Sequence, residues 1–525
     1  MFVNLVPIIP IFITIIAFLL SRKAHLAIFS GCVAAALLLT KGLPVESLIL
    51  FFKVFVQEHR LDQLLYPANY VSLIFSSPYL FIILLNIYIS LIHKSGIAYG
   101  YYNFLNQRLN SKRAAELSTI VLGAFMFIDD YLSLLTNIRV SSLFCQRFKI
   151  PKSKICFFAA SLAAPICTLI PFSSWGAVIS PIIGSSISKT VMQGWDPFYI
   201  LINAAWYMFF SLFAIFTAVL VAVRSYSFGI IKKEEDLLAI QPEPSESSSP
   251  DHVWKFQLWH FLLPVLSLIG TILFFMLFWG NYFSTPNSTV FTALLSNTDL
   301  NKPLVAGILT NLAIMILLFW GTGLLSMKHF WESLIEGCNE SYYILLLLAF
   351  STTFGALLQQ LGIAKTLSTM AALFIRPTFL PAIIFVLTTI LGVTLGSAWT
   401  TILLLIPTTL PVILSITVQL DNPYYLKHLT IIGIGAIISG AVFGTSISPI
   451  SDLLTLATRS ARISAEKYLH VQLTYTLLVG ASALVSFIVS GFLAHSHFWH
   501  CWLVSFASGI FVLIILLEGR KRLER

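Results

Sequence analysis

Residues 123–136 read G-A-F-M-F-I-D-D-Y-L-S-L-L-T, where two adjacent carboxylates, Asp129 and Asp130, interrupt a stretch with the character of a membrane-helix interior. A charged side chain at bilayer depth costs about 3 kcal/mol on insertion scales. The surroundings are apolar throughout. The 525-residue chain is 58% hydrophobic and 10% charged, with a mean hydropathy of +0.89. Soluble proteins carry about 25% charged residues, so much of this surface must face hydrocarbon. Apolar runs long enough to span recur from end to end. They predict an all-α polytopic membrane protein rather than a β-barrel, whose strands would alternate over ~10 residues. Leu5 to Leu20 lacks a basic n-region and a small-residue cleavage site, so it reads as a retained helix.

The net charge of +9 is no nucleic-acid footprint, because the basic residues form short clusters between apolar runs, as cytoplasmic loops require. These clusters are Arg22-Lys23; Arg108, Lys112 and Arg113; Arg147, Lys149, Lys152 and Lys154; Lys232-Lys233; Arg459, Arg462 and Lys467; and the tail Arg520-Lys521-Arg522. Six cysteines (Cys32, Cys145, Cys156, Cys167, Cys338, Cys501) show no C-x-x-C spacing, so neither a disulfide framework nor a zinc site is expected. The Pro/Ser-rich stretch from Lys232 to His252 reads as a disordered cytoplasmic linker. Asn281 to Lys302, polar and nearly uncharged, fits the outer face, and its Asn287-Ser288-Thr289 sequon reads as chance.

Orientation then explains the carboxylates. Ala114 to Cys145 begins and ends beside basic clusters, yet is too long and apolar for a surface loop. The economical reading is a re-entrant hairpin with Asp129-Asp130 near its tip. Ile155 to Ile187 is interrupted by A-P-I-C-T-L-I-P-F-S-S-W-G, whose Pro165, Pro171 and Gly176 break one crossing in the middle. The second half repeats this plan. Ser341 to Ile363 resembles Ser77 to Ile97, the next apolar segment breaks at G-S-A-W-T-T (396–401), and Leu429 to Thr458 breaks at G-T-S-I-S-P-I-S-D. Pro449-Ile450-Ser451-Asp452 lines up with Pro171-Phe172-Ser173-Ser174. The opening helices of the two repeats run in opposite directions, so the repeats are inverted. The expectation is about 11 transmembrane helices plus two re-entrant hairpins, in two inverted repeats with broken helices. The chain divides into N-terminal helices (1–66), a first repeat (67–224), a linker (225–255), connecting helices (256–336), a second repeat (337–467), and C-terminal helices with a basic tail (468–525). Such repeats mark secondary transporters, with a site near the midplane.

At F-I-D-D-Y-L-S-L-L-T, A-A-P-I-C with P-F-S-S-W-G-A, G-S-A-W-T, and G-A-V-F-G with S-P-I-S-D, the chain resembles the NhaC-type sodium/proton antiporter family over roughly residues 70–480. The resemblance implies exchange of sodium for protons, or movement of organic acids or amino acids coupled to those ions. It implies no cofactor and a bacterial cytoplasmic membrane, and related ion transporters often form homodimers; the count of crossings and the basic tail Arg520-Lys521-Arg522 place the C-terminus in the cytoplasm. The chain departs from the family pattern at Ala160 and at Thr445-Ser446, where acidic residues and a histidine are usual, and at Ser133, where asparagine is usual.

Asp129, Asp130 and Asp452 are the candidate ion-binding residues, with a sodium ion shared among them. On a helix the adjacent pair points about 100° apart, so one can face a cation while the other caps a half-helix. Ser173, Ser174, Ser397, Ser448, Ser451, Thr136 and Thr400 are candidate hydroxyl ligands; the alternative for each serine is satisfying freed backbone at a break. Trp175 and Trp399 read as packing or as a substrate wall, and Arg139 as a partner of the Asp pair or a snorkelling cation. His495, His497 and His500 form an ordinary polar turn. Gly433, Gly435 and Gly440 ease helix packing, and the chain has no Walker motif. The expected function is sodium/proton antiport, with a proton- or sodium-coupled carrier of a small organic acid or amino acid as the alternative. A channel or an inert membrane scaffold fits the paired breaks poorly.

Overall fold

A computed structural model describes residues 6–21, 23–66, 70–97, 99–106, 108–187, 195–240, 257–284, 301–324, 326–363, 366, 376–418 and 422–524. Arg22, the sequon and the linker stretch 241–252 lie outside the described residues. Every regular element among them is helical. In chain order they are α1 (Ile9–Ser21), α2 (Ala24–Leu39), α3 (Pro44–Glu58), α4 (Tyr70–Phe75), α5 (Pro78–Ser95), α6 (Tyr99–Asn106), α7 (Lys112–Phe125) and α8 (Asp130–Phe148). There follow α9 (Lys152–Leu169), α10 (Ser174–Ile187), α11 (Pro197–Trp206), α12 (Phe209–Arg224), α13 (Gly229–Ile240), α14 (Leu258–Trp279) and α15 (Asn301–Thr322). The rest are α16 (Met327–Gln360), α17 (Leu380–Leu395), α18 (Ala398–Val418), α19 (Pro423–Ile447), α20 (Asp452–Ala461), α21 (Ala465–Leu493) and α22 (Phe498–Leu523). Ten spans among the described residues are long and apolar enough to cross a bilayer, or eleven if α2 and α3, bent by 118°, form one.

The helices α7 and α8 form a hairpin. Asn137 Nδ2 donates to the Thr119 carbonyl at 3.1 Å, and Arg147 Nη2 to the Leu109 carbonyl at 3.5 Å. Both pairings are centred on Ile128, so the chain folds back on itself there. At 14 residues, α7 is about 21 Å long against ~30 Å of hydrocarbon.

The two repeats show the same contacts. Helices α5 and α16 run antiparallel: Lys94 pairs with Glu336 at 2.9 Å, Ser90 donates to Glu336 at 3.0 Å, and Gly337 lies against the Ile87 backbone. Each arm that leads to a tip runs parallel to a long helix. Gly123 of α7 meets Leu162 of α9; Gly440 and Gly444 of α19 meet the Phe385 and Thr389 carbonyls of α17. Both α9 and α19 then break, over residues 170–173 and 448–451, before α10 and α20. The contacts cross between repeats, since α8 packs on α20 and α18 on α10.

Two details differ from the sequence reading. Lys154, expected as a loop cation, is buried, with Nζ 2.7 Å from Glu116 and 2.9 Å from Glu235. The start of the expected disordered linker is helix α13. Its Glu235 also pairs with Lys112 at 3.0 Å, and its Glu234 meets Ser153 and Lys467. Hydropathy alone places every lysine outside, but a lysine near a helix start can turn inward when two carboxylates from other helices meet it. Removing one partner of a buried ion pair leaves an uncompensated charge, at about 3–5 kcal/mol. Lys154→Met is therefore expected to lower the melting temperature of the detergent-purified protein sharply, and adding Glu116→Gln should restore most of the loss.

Candidate functional site

Both breaks are closed by the same hydrogen bond. The Ser174 N–H donates to the Ile128 carbonyl at 2.8 Å, and the Asp452 N–H to the Gly396 carbonyl at 3.4 Å. In each repeat the first residue after the break thus ties to the residue just before the N-cap of the second hairpin arm. Those N-caps are equivalent as well: Asp129 Oδ1 accepts from the Leu132 N–H at 2.9 Å, and Ser397 Oγ from the Thr400 N–H at 3.4 Å. Gly396 takes a left-handed φ of 64°, and a Cβ there would lie 2.8 Å from the Ile450 carbonyl.

The first residues of α8, α10, α18 and α20 converge on one small cavity of about 10 Å³, room for one water or one bare cation. It is lined by Asp130, Tyr131, Trp175, Trp399, Thr445 and Asp452, with Ala164, Val442 and the neighbouring helix-start residues completing the wall. Each helix N-terminus carries about +0.5 of a charge, so the four together attract anionic side chains, and the carboxylates at the starts of α8 and α20 answer that field. Trp175 and Trp399 pack ring to ring, centroids 4.5 Å apart at 34°.

The hydrogen bonds separate the two adjacent aspartates. Asp129 is satisfied at both oxygens, Oδ1 by Leu132 and Oδ2 by the Ser174 hydroxyl at 3.1 Å. Asp130 is 2% exposed, and its Oδ1 has no partner. The Ser133 and Ser451 hydroxyls, Thr400 Oγ1 and Trp175 Nε1 are also buried without partners. A buried unsatisfied polar atom costs about 1–3 kcal/mol, so five of them on the segments around one cavity mark a place built for a ligand.

The other candidates sort by what they touch. The Ser173 hydroxyl donates to the Cys167 carbonyl at 2.6 Å and Ser448 to the Val393 carbonyl at 2.7 Å, so both hold the breaks closed. Thr136 is buried six residues beyond Asp130 and does not line the cavity. Arg139 donates to His93 Nε2 at 2.7 Å and does not reach the aspartates. Tyr131, Ser133 and Thr445 join the site without having been singled out as ligands. Tyr131 and Ser133 lie in the opening motif, where their aromatic and small-polar character signals nothing by itself. Among the described residues, no three His, Cys, Asp or Glu gather as a metal cluster. A cation here would therefore rest on one or two carboxylates with hydroxyl oxygens. Asp452 is exposed, as are Thr455 and Arg459 along the same face of α20, while Leu453, Leu454 and Ala457 on its other face are buried. Asp452 thus links the cavity to the accessible face of α20.

The model of the Na+/H+ antiporter family matches residues 166–492, more than half of the chain. The chain belongs to the Na+/H+ antiporter family. The match takes in both breaks and the whole second repeat, and begins beyond Asp129-Asp130. An uncharacterised protein of Haemophilus influenzae is 26% identical over 445 residues, covering 84% of this chain and 82% of its own. Two solved transporters share the fold. The YdaH transporter of Alcanivorax borkumensis aligns with a TM-score of 0.54 at 15% identity, over 78% of this chain and 84% of that one. MtrF of Neisseria gonorrhoeae, described within a class of antimetabolite efflux pumps, aligns at 0.53 and 14%, over 82% and 84%. The protein is thus an integral membrane secondary transporter, not an enzyme, and the motif resemblance holds at the level of family.

The breaks give a direct test. Gly396→Ala and Gly176→Ala, the latter putting a Cβ 2.0 Å from the Pro171 carbonyl, are expected to lower the melting temperature by several degrees. Gly270→Ala, with nothing within 4 Å, should leave it level or raise it slightly.

Proposed function

We propose that the protein exchanges sodium for protons, and that Asp130 is the group that carries one or the other. The observation supporting this is the buried, unpartnered Asp130 Oδ1 beside a cavity with room for a single bare ion. A carboxylate holds either a proton or a cation, so sodium affinity rises with pH as the competing proton leaves. Asp452, at the mouth of the cavity, is the second carboxylate of the site, with the Ser451 and Thr400 hydroxyls completing its oxygen ligands. Asp129 is the positioning residue: its bonds to Leu132 and Ser174 hold the hairpin tip against the break. Ser174 and Ser397 act in the same way, and Thr136 lies outside the ion's shell.

Charge balance suggests the stoichiometry. Four helix N-termini contribute about +2 in total, and three ionised aspartates outweigh them by about one unit. One sodium ion or one proton neutralises that surplus, which makes the exchange one for one and electrically neutral. The α20 stripe runs toward the basic residues Arg459 and Arg462, so the open side is the cytoplasmic one and the basic C-terminus lies on that side. An organic acid or amino acid is the second reading, supported by the Trp175–Trp399 wall. The cavity favours the ion, because small-molecule pockets run to about 300 Å³ or more.

In proteoliposomes an imposed sodium gradient is expected to move protons, at a rate unchanged when valinomycin and potassium clamp the membrane potential. Asp130→Asn should abolish the movement, and Asp129→Asn should slow it while lowering the melting temperature. Proton flux that ignores sodium and lithium but follows an added organic acid or amino acid would overturn the antiport reading.

A further inference from the structure

Tyr131 lines the ion-sized cavity from the first turn of α8, next to Asp130 in the chain and across from Asp452 at the start of α20. It is partly buried, and its hydroxyl stands opposite the Asp452 carboxyl. Asp129 and Asp130 also lie within electrostatic reach of it. The packing of α8 on α20 holds the two helix starts together.

The two carboxylates that line the cavity differ in their surroundings. Asp130 is 2% exposed, whereas Asp452 also reaches the accessible face of α20. Closure over a bound ion therefore falls to Asp452 and to whatever holds it. An ionised carboxylate accepts at both oxygens, and a phenol has one O–H to donate. An ion beside Asp130 draws one Asp452 oxygen inward by charge attraction, which leaves the other oxygen for the Tyr131 hydroxyl. A hydrogen bond onto a carboxylate is roughly twice as strong as one between neutral groups. The first repeat already uses a carboxylate in this way. Asp129 takes the Leu132 N–H on one oxygen and the Ser174 hydroxyl on the other, and so ties the hairpin tip to the break.

We propose that Tyr131 is the positioning residue for Asp452, its hydroxyl donating a hydrogen bond that holds the Asp452 carboxylate over the ion. The inference rests on the antiport reading of this cavity and adds the group that closes it. Tyr131 acts on sodium through Asp452 rather than as a ligand. Its bond joins the first repeat's hairpin to the second repeat's broken helix at the mouth of the site.

A double-mutant cycle on sodium affinity tests this. The measurement is calorimetric titration of sodium chloride at alkaline pH, where protons compete least, with choline chloride as the ionic-strength control. Tyr131→Phe keeps the ring and loses the hydroxyl, and is expected to weaken sodium binding about 10-fold at an unchanged melting temperature. Asp452→Ala should weaken it by at least as much. Adding Tyr131→Phe to Asp452→Ala should then cost less than about 2-fold more, because the hydroxyl has lost the group it acts through. In proteoliposomes Tyr131→Phe should raise the sodium KM and leave kcat near that of the unaltered protein. Unchanged sodium affinity in Tyr131→Phe protein overturns the inference. So does a full further loss on top of Asp452→Ala, which makes the hydroxyl a ligand in its own right. A lowered melting temperature in Tyr131→Phe protein also overturns it, since the hydroxyl then serves packing. The antiport reading fails separately, through proton flux that ignores sodium.

Discussion

In hydrocarbon every backbone N–H and C=O must be satisfied by the protein itself, and this largely apolar chain interrupts two helices, after α9 and α19, and turns two hairpins, α7–α8 and α17–α18. The resolving interaction is a hydrogen bond made twice, from the residue after each break to the carbonyl before each hairpin N-cap: Ser174 to Ile128 and Asp452 to Gly396. Each joins a hairpin to the broken helix of its own repeat, and the packing of α8 on α20 and α10 on α18 then joins the repeats. The cavity is what remains between four helix starts held in this way.

That arrangement explains why carboxylates stand where they do. Four converging helix N-termini make a positive field that only acidic side chains or anions can balance. Asp130 and Asp452 are the first residues of α8 and α20, and Asp129 caps α8. The costly pair in F-I-D-D-Y therefore divides its work. One carboxylate is held by two hydrogen bonds as part of the frame, and its neighbour is left with an open oxygen toward the ion-sized space. The repeats are not equivalent here, since Ser397 and Ala398 take the places of Asp129 and Asp130.

A second consequence concerns how the hairpin is anchored. The buried Lys154, with Glu116 of α7 and Glu235 of α13, fastens the hairpin's first arm to α9 and to the helix that leads out of the first repeat. A buried triad of this kind contributes little net stability when complete but is costly to break.

Much of this was legible in the residues. Membrane embedding, the hairpin between basic clusters, the breaks next to Pro171 and Pro449, and the doubling of the plan all follow from hydropathy, proline chemistry and charge placement, which act over a few neighbouring residues, although Pro165, also expected to break its helix, lies inside α9. Which of Asp129 and Asp130 is hydrogen-bonded at both carboxylate oxygens did not follow, because it depends on a serine hydroxyl 45 residues away. Nor did the inward turn of Lys154 or the meeting of Trp175 with Trp399. Each of these is a partnership between helices far apart in the chain. The sequence by itself determined where the backbone must leave its helices and which charges must be sheltered; only the tertiary structure decided which groups meet there, because burial and hydrogen-bond geometry are set by how the two repeats pack against each other.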